Sequence, residues 1–102
     1  MRLNFYEDPG HGWLAVPLPL LERLGLLDSI SPYSYMRGML AHLEEDCDFG
    51  LFARAMNDQG RLFTMKWHHT DQRSRIRNYC QFNAGVARRW MQEAALSRQL
   101  GR

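Results

Sequence analysis

Four carboxylates occupy five consecutive positions, Glu44, Glu45, Asp46 and Asp48, and such a group is suited to two kinds of work. Hard divalent cations gather several oxygen ligands. At the start of a helix the same groups accept from free backbone N–H groups and face the positive end of the helix dipole. Phe49, Phe52, Ala53 and Met56 follow at helical spacing, so capping is the expected role. Asp46 or Asp48 is then the N-cap, and its replacement by alanine is expected to cost about 1 kcal/mol. His68 and His69 are adjacent, so on a strand they point to opposite faces and do not share an ion. His11 and His42 are too far apart in sequence to form a local ligand motif. Cys47 pairs on paper with His42, and Cys80 with His69, but neither pair has an orienting third group. The chain contains no Gly-x-Ser-x-Gly, His-Glu-x-x-His, phosphate-binding glycine loop or dinucleotide fingerprint. No enzyme, cofactor or bound metal is expected, with a small metal-dependent hydrolase or nuclease as the alternative.

The segment Arg73-Ser74-Arg75-Ile76-Arg77-Asn78-Tyr79 carries a different chemistry. If it is extended, Arg73, Arg75, Arg77 and Tyr79 project from one side, with Lys66 and the histidines just upstream. Guanidinium forks bind phosphates and carboxylates in pairs, and aromatic rings add stacking. An anionic partner fits this row, whether phosphate or an acidic protein surface. The arginines can equally be neutralised by Glu44, Glu45 and Asp46 within the same domain.

Charge along the 102 residues supports a recognition surface. Up to Leu51 three arginines meet eight carboxylates; beyond it nine arginines and Lys66 meet only three. The halves are acidic and basic, and arginine outnumbers lysine 12 to 1. A chain of this size forms one core. With 45% apolar and 24% charged residues it is an ordinary globular composition, and its longest apolar stretch, Trp13 to Leu21, is too short to span a bilayer and holds two prolines. Two carboxylates and a Pro-Gly turn at positions 7–10 replace the apolar run of a secretory signal, and the two cysteines lack any framework spacing. A cytoplasmic protein with two partly buried free thiols is expected.

These groups must be positioned by a few short elements. Leu3–Tyr6 and Trp13–Val16 predict a hairpin about the turn at 7–12, and Pro17 and Pro19 suit a helix start. Leu20, Leu21, Leu24 and Leu27 give a short helix that Gly25 stops. A second hairpin is predicted over Ser31–Leu43, a helix from Phe49, and a long strand over Arg61–His69. Val86, Ala87, Trp90, Met91 and Ala94 line a last helix. The expected class is α+β: an antiparallel sheet of about four to five strands, two helices packed on it and a C-terminal helix. Residues 1–82 form the compact domain, and 83–102 a helix packed on it or on a partner. Trp90, Met91 and Leu96 are candidates for a homodimer contact.

The stretches Asp8-Pro9-Gly10-His11-Gly12-Trp13, Ser31-Pro32-Tyr33-Ser34-Tyr35 and Leu43-Glu44-Glu45-Asp46-Cys47-Asp48 resemble a group of small proteins of phages and other bacterial mobile elements. The resemblance covers roughly Phe5 to Tyr79, and the segment from Cys80 onward is an addition to it. It implies an inhibitor of bacterial defence, of the anti-CRISPR kind, that works by adhesion. Such inhibitors act in the bacterial host cytoplasm and share no common motif, so the binding residues come from charge and one neighbouring aromatic ring: Lys66, Arg73, Arg75, Arg77, Tyr79, Arg88 and Arg89. The expected partner is a bacterial defence protein or nucleoprotein complex. The alternative is a DNA- or RNA-binding accessory protein of phage replication or regulation. No membrane is involved in either.

Overall fold

A computed structural model describes residues 1–101; Arg102, the last basic residue of the second half, lies outside the described residues. Two hairpins and two additions build one six-stranded mixed sheet. Strand β1 (Arg2–Glu7) pairs antiparallel with β2 (Gly12–Pro17). Strands β3 (Tyr35–Arg37) and β4 (Leu40–Glu44) form the second hairpin, and β4 joins β2. Their connecting residues Gly38 and Met39 both have positive φ, 59° and 68°, the pattern of a two-residue type I′ turn. Strand β5 (Thr64–His69) is one edge and β6 (Cys80–Gln81) the other, giving the order β5-β1-β2-β4-β3-β6.

The sheet therefore has six strands where about four to five were expected, and it is not wholly antiparallel. Strand β5 lies parallel to β1, with Phe5 opposite Trp67. A tight hairpin cannot make this pairing; helix α2 (Phe49–Asp58) lies in the connection from β4 to β5. Its face of Phe52 and Met56 is fully buried. Helix α1 (Leu18–Arg23) begins at the prolines and ends before Gly25, whose φ is 71°. Helix α3 (Ala84–Leu100) is fastened at its start. Asn83 accepts from the Val86 N–H at 3.0 Å, and Ala87 is buried.

Alternation along the strands divides the sheet into two faces. Leu3, Phe5, Leu14, Val16, Met36, Ala41 and Leu43 join α1, α2 and the start of α3 in one hydrophobic core. Gly12 is required where this packing is tightest: a Cβ there would sit 2.5 Å from the Phe5 ring. The other face presents Tyr6, Trp13, Ala15, Tyr35, Arg37 and His42. No helix covers it. Instead the chain from Thr70 to Tyr79 runs from β5 at one edge to β6 at the opposite edge, across this second face. This strap buries Ile76.

Asp48 stands at the N-cap position of α2, as expected, yet its carboxylate does not cap the helix. It turns to the loop before β3 and accepts from the Ser31 N–H at 3.1 Å, the Ser31 hydroxyl at 2.7 Å and the Ser34 hydroxyl. Ser34, fully buried, in turn accepts from the Glu44 N–H at 2.9 Å. Among the described residues no side chain caps α2; Glu44 Oε2 instead accepts from the Asp46 and Cys47 N–H groups, each at 2.9 Å, in the turn that precedes the helix. The two aspartates are thus not equivalent. Asp48→Ala strands buried donors and is expected to cost about 3 kcal/mol by urea denaturation. Asp46→Ala, at an exposed position, is expected to change stability by no more than about 0.5 kcal/mol. Equal losses in both variants would contradict this assignment.

Candidate functional site

The strap is not extended through its arginines. Arg75–Asn78 forms a 3₁₀ turn, started by Ser74, whose hydroxyl accepts from the Ile76 N–H at 3.1 Å. The single row of Arg73, Arg75, Arg77 and Tyr79 expected from an extended chain is therefore broken. Two forces break it. Ile76 gains burial by turning inward. The carboxylate of Asp8, in the β1–β2 turn, draws Arg77 the same way. Asp8 accepts from Arg77 Nε at 2.7 Å and Nη2 at 2.9 Å, and from the N–H groups of Gly10, His11 and Ser74. Its side chain is only 1% exposed, and the Arg77 guanidinium holds its carboxyl well below the usual carboxylate range against the opposing cost of burial. Arg77 also lies 5.3 Å from the centre of the Trp13 ring. Its role is to pin the strap.

Between strap and sheet a cavity of about 730 Å³ remains. Tyr6, Leu40 and His42 line it from the sheet; Arg73, Arg75 and Tyr79 line it from the strap, and Arg37 of β3 completes a group of three arginines. No aspartate or glutamate lines it, and Arg37, Arg73 and Arg75 form no ion pair among the described residues. Arg73 spends one N–H on Asn78 at 2.9 Å. The Arg37 guanidinium stands 5.1 Å from the centre of the Tyr79 ring, which meets the His42 ring edge-on at 5.2 Å. Tyr6 stacks on His68 at 4.7 Å.

His42 is buried, 6% exposed, and its Nδ1 has no hydrogen-bond partner. Burial pushes its pKa down to about 4, so the ring is neutral at physiological pH. The cavity thus joins a cationic rim to an aromatic and apolar floor. Arg37 and Tyr6 were not legible as site residues in the sequence, and His42 was weighed only as a metal ligand or a partner of Cys47, because what unites the three is position on alternate sites of three strands. The period-2 pattern of the strands was the available signal.

The other expected binding residues lie elsewhere. Lys66 is exposed on β5 opposite Asn4 and outside the cavity lining. Arg88 makes a two-point contact with Asp28 at 2.8 and 2.9 Å, and Arg89 a looser one with Glu93 at 3.8 Å, both on α3. Being exposed, these pairs contribute little stability. Neutralisation within the domain thus applies to Arg77, Arg88 and Arg89, but its partners are Asp8, Asp28 and Glu93, not Glu44, Glu45 and Asp46. Trp90 and Met91 are half-buried against the core, whereas Leu96 and Leu100 are exposed on the outer part of α3.

The remaining candidates for chemistry separate in space. His68 contacts Asn4 at 3.0 Å; His69 contacts Glu7 at 3.2 Å and Asp71 at 2.8 Å, and hydrogen bonding to Asp71 raises its pKa. Cys80 and His69 occupy opposite edges of the sheet, so they form no nucleophilic pair. Both cysteines are exposed rather than partly buried. Desolvation, with Glu44 and the neighbouring aspartates, raises the Cys47 thiol pKa, the reverse of what a nucleophile needs. Folding also brings together one group that its spacing hides: His11, Glu44 and Asp46 place ligand atoms within 4.8 Å of one another. Glu44 there spends Oε1 on His11 Nδ1 at 3.2 Å and Oε2 on the two backbone donors of the α2 approach. Among the described residues no helix is long and apolar enough to cross a membrane. No family model, curated protein or solved structure matches the chain.

Proposed function

We propose that the protein is a non-enzymatic binding protein of a phage or mobile element that blocks a bacterial defence complex by holding an anionic element of that complex. The observation that carries this reading is the convergence of Arg37, Arg73 and Arg75 on one cavity with no carboxylate in its lining. Guanidinium groups left unpaired beside a concavity recognise carboxylate or phosphate by paired hydrogen bonds. Binding alone suffices for inhibition, since occupancy shifts the complex by mass action without a reaction.

The test is plaque formation on a host with an active defence system. Expression of the protein is expected to raise plating efficiency at least tenfold, and the triple reversal R37E/R73E/R75E to return it to the uninhibited level. A thermal melt within a few degrees of the parent shows that the triple variant is folded. Equal rescue by parent and variant overturns the assignment of the arginines; no rescue across a panel of defence systems overturns the function.

Direct binding of DNA or RNA is the second reading, favoured by Tyr6 and Tyr79 standing among the arginines. Three phosphate contacts to a single strand predict that log affinity falls with log salt at a slope of about −2. No gel shift at low salt would eliminate it.

A further inference from the structure

We infer that the cavity between strap and sheet is the seat of a nucleoside phosphate, with the phosphate on Arg37, Arg73 and Arg75 and the base on the aromatic floor. This deepens the reading above and rests on it for the use of the three arginines. Four observations lead to a nucleotide rather than to a simple anion. The volume, about 730 Å³, lies within the range of small-molecule sites and far exceeds what one phosphate fills. Much of the rest of the lining is aromatic and apolar: Tyr6, His42 and Tyr79 offer rings, inclined at 47° between Tyr6 and His42 and 63° between His42 and Tyr79, and Leu40 and Ile76 offer apolar contact for a ribose. The rim carries only positive charge. His42 lines the cavity as well, 6% exposed as a residue, and its buried Nδ1 has no protein partner. An inorganic anion would use the rim and leave the floor bare. A planar base, a sugar and a phosphate in sequence use all three zones.

The contacts fix Tyr79 before any ligand arrives. Arg37 lies over its ring and His42 meets it edge-on, so less freedom is lost on stacking. Tyr6 is held likewise by His68. These two tyrosines, one on the sheet and one on the strap, are the expected base contacts, and aromatic stacking tolerates any base.

The full-length protein is titrated by calorimetry with four nucleoside 5′-monophosphates, adenosine, inorganic phosphate, phosphotyrosine and an eight-residue oligothymidylate. Nucleoside monophosphates are expected to bind at least tenfold more tightly than adenosine or phosphate, and R75E to weaken them at least tenfold with an unchanged melting temperature. Saturation-transfer NMR on the unaltered protein is expected to show the base protons in contact with it, which needs no variant to fold. The oligonucleotide arm identifies the source: tighter binding than the monomer means a nucleotide within a strand, weaker binding a free nucleotide. Phosphate binding as tightly as the monophosphates overturns the inference, as does phosphotyrosine exceeding them or the absence of binding at millimolar nucleotide. If no nucleotide binds while R37E/R73E/R75E still abolishes plaque rescue, the ligand is wrong and the anionic-partner reading stands. If nucleotide binds but no defence system is inhibited, the reverse holds.

Discussion

Asp8→Ala is expected to lower the unfolding free energy by about 3–5 kcal/mol, a large part of the 5–15 kcal/mol that holds a domain together. The Asp8 side chain is 1% exposed and Arg77 26% exposed, so the substitution leaves a partly buried cation unmatched. It also strips the acceptor from the N–H groups of Gly10, His11 and Ser74. Asp8→Asn keeps one acceptor oxygen and is expected to lose less. Replacing Arg77 as well, in D8A/R77M, is expected to recover only part of the loss, because the three backbone donors remain unmatched. Urea denaturation of the four proteins measures each term. A loss below about 1 kcal/mol in Asp8→Ala would show that the strap is held by something other than this carboxylate. Because the folded-state pKa of Asp8 is depressed, its stabilisation is present above the unfolded value of 3.8 and is lost as pH falls below it.

The second large effect is an acid-side loss of stability that sets in well above that range. His42 titrates at about 4 in the fold, against 6.5 for a free side chain, because burial penalises its charged form. Between these values the unfolded chain holds a proton that the native protein does not, so stability falls as pH drops from 6.5 to about 4, and below that the His42 contribution changes no further. The full difference is about 3 kcal/mol, each pKa unit being worth about 1.4 kcal/mol. His69 acts in the opposite sense. Its pKa is raised, chiefly by Asp71, so its contribution is complete below 6.5 and lost as pH rises through its folded value. That site is exposed, and solvent screens it. His42→Phe removes the buried titration and keeps the ring's bulk, so its stability is expected to vary little between pH 6.5 and 4. Parallel pH profiles for the parent and His42→Phe would place the acid sensitivity on other groups.

Much of the architecture can be read from local pattern. The hairpin of Leu3–Tyr6 and Trp13–Val16, the Pro17 start and Gly25 stop of α1, and the face of Phe52 and Met56 each follow from neighbours a few residues apart. Long-range pairing does not. Strand β5 reads as a strand, but its parallel seat beside β1 depends on a crossover that no spacing reveals. The same limit governs the site. Arg73, Arg75 and Tyr79 were legible as a basic, aromatic segment, and all three line the cavity. Arg77 was legible as a charge but not as a pin, since its partner Asp8 lies 69 residues earlier. Ser74 and Ile76 hold the signal that an extended row would fail: a hydroxyl suited to start a turn, and an apolar residue between arginines that gains by turning inward.

The strap has a consequence for the order of assembly. It ties the first edge of the sheet to the last, and Asp8 cannot meet Arg77 until β5 has settled beside β1 and the intervening chain has crossed the open face. Ring closure over so many residues is entropically costly and comes late, after the hairpins that need only local contacts. A nascent or partly unfolded chain therefore has arginines but no concavity. On the proposed function, recognition would await completion of the strap, and a ligand seated between strap and sheet would act as the final clasp.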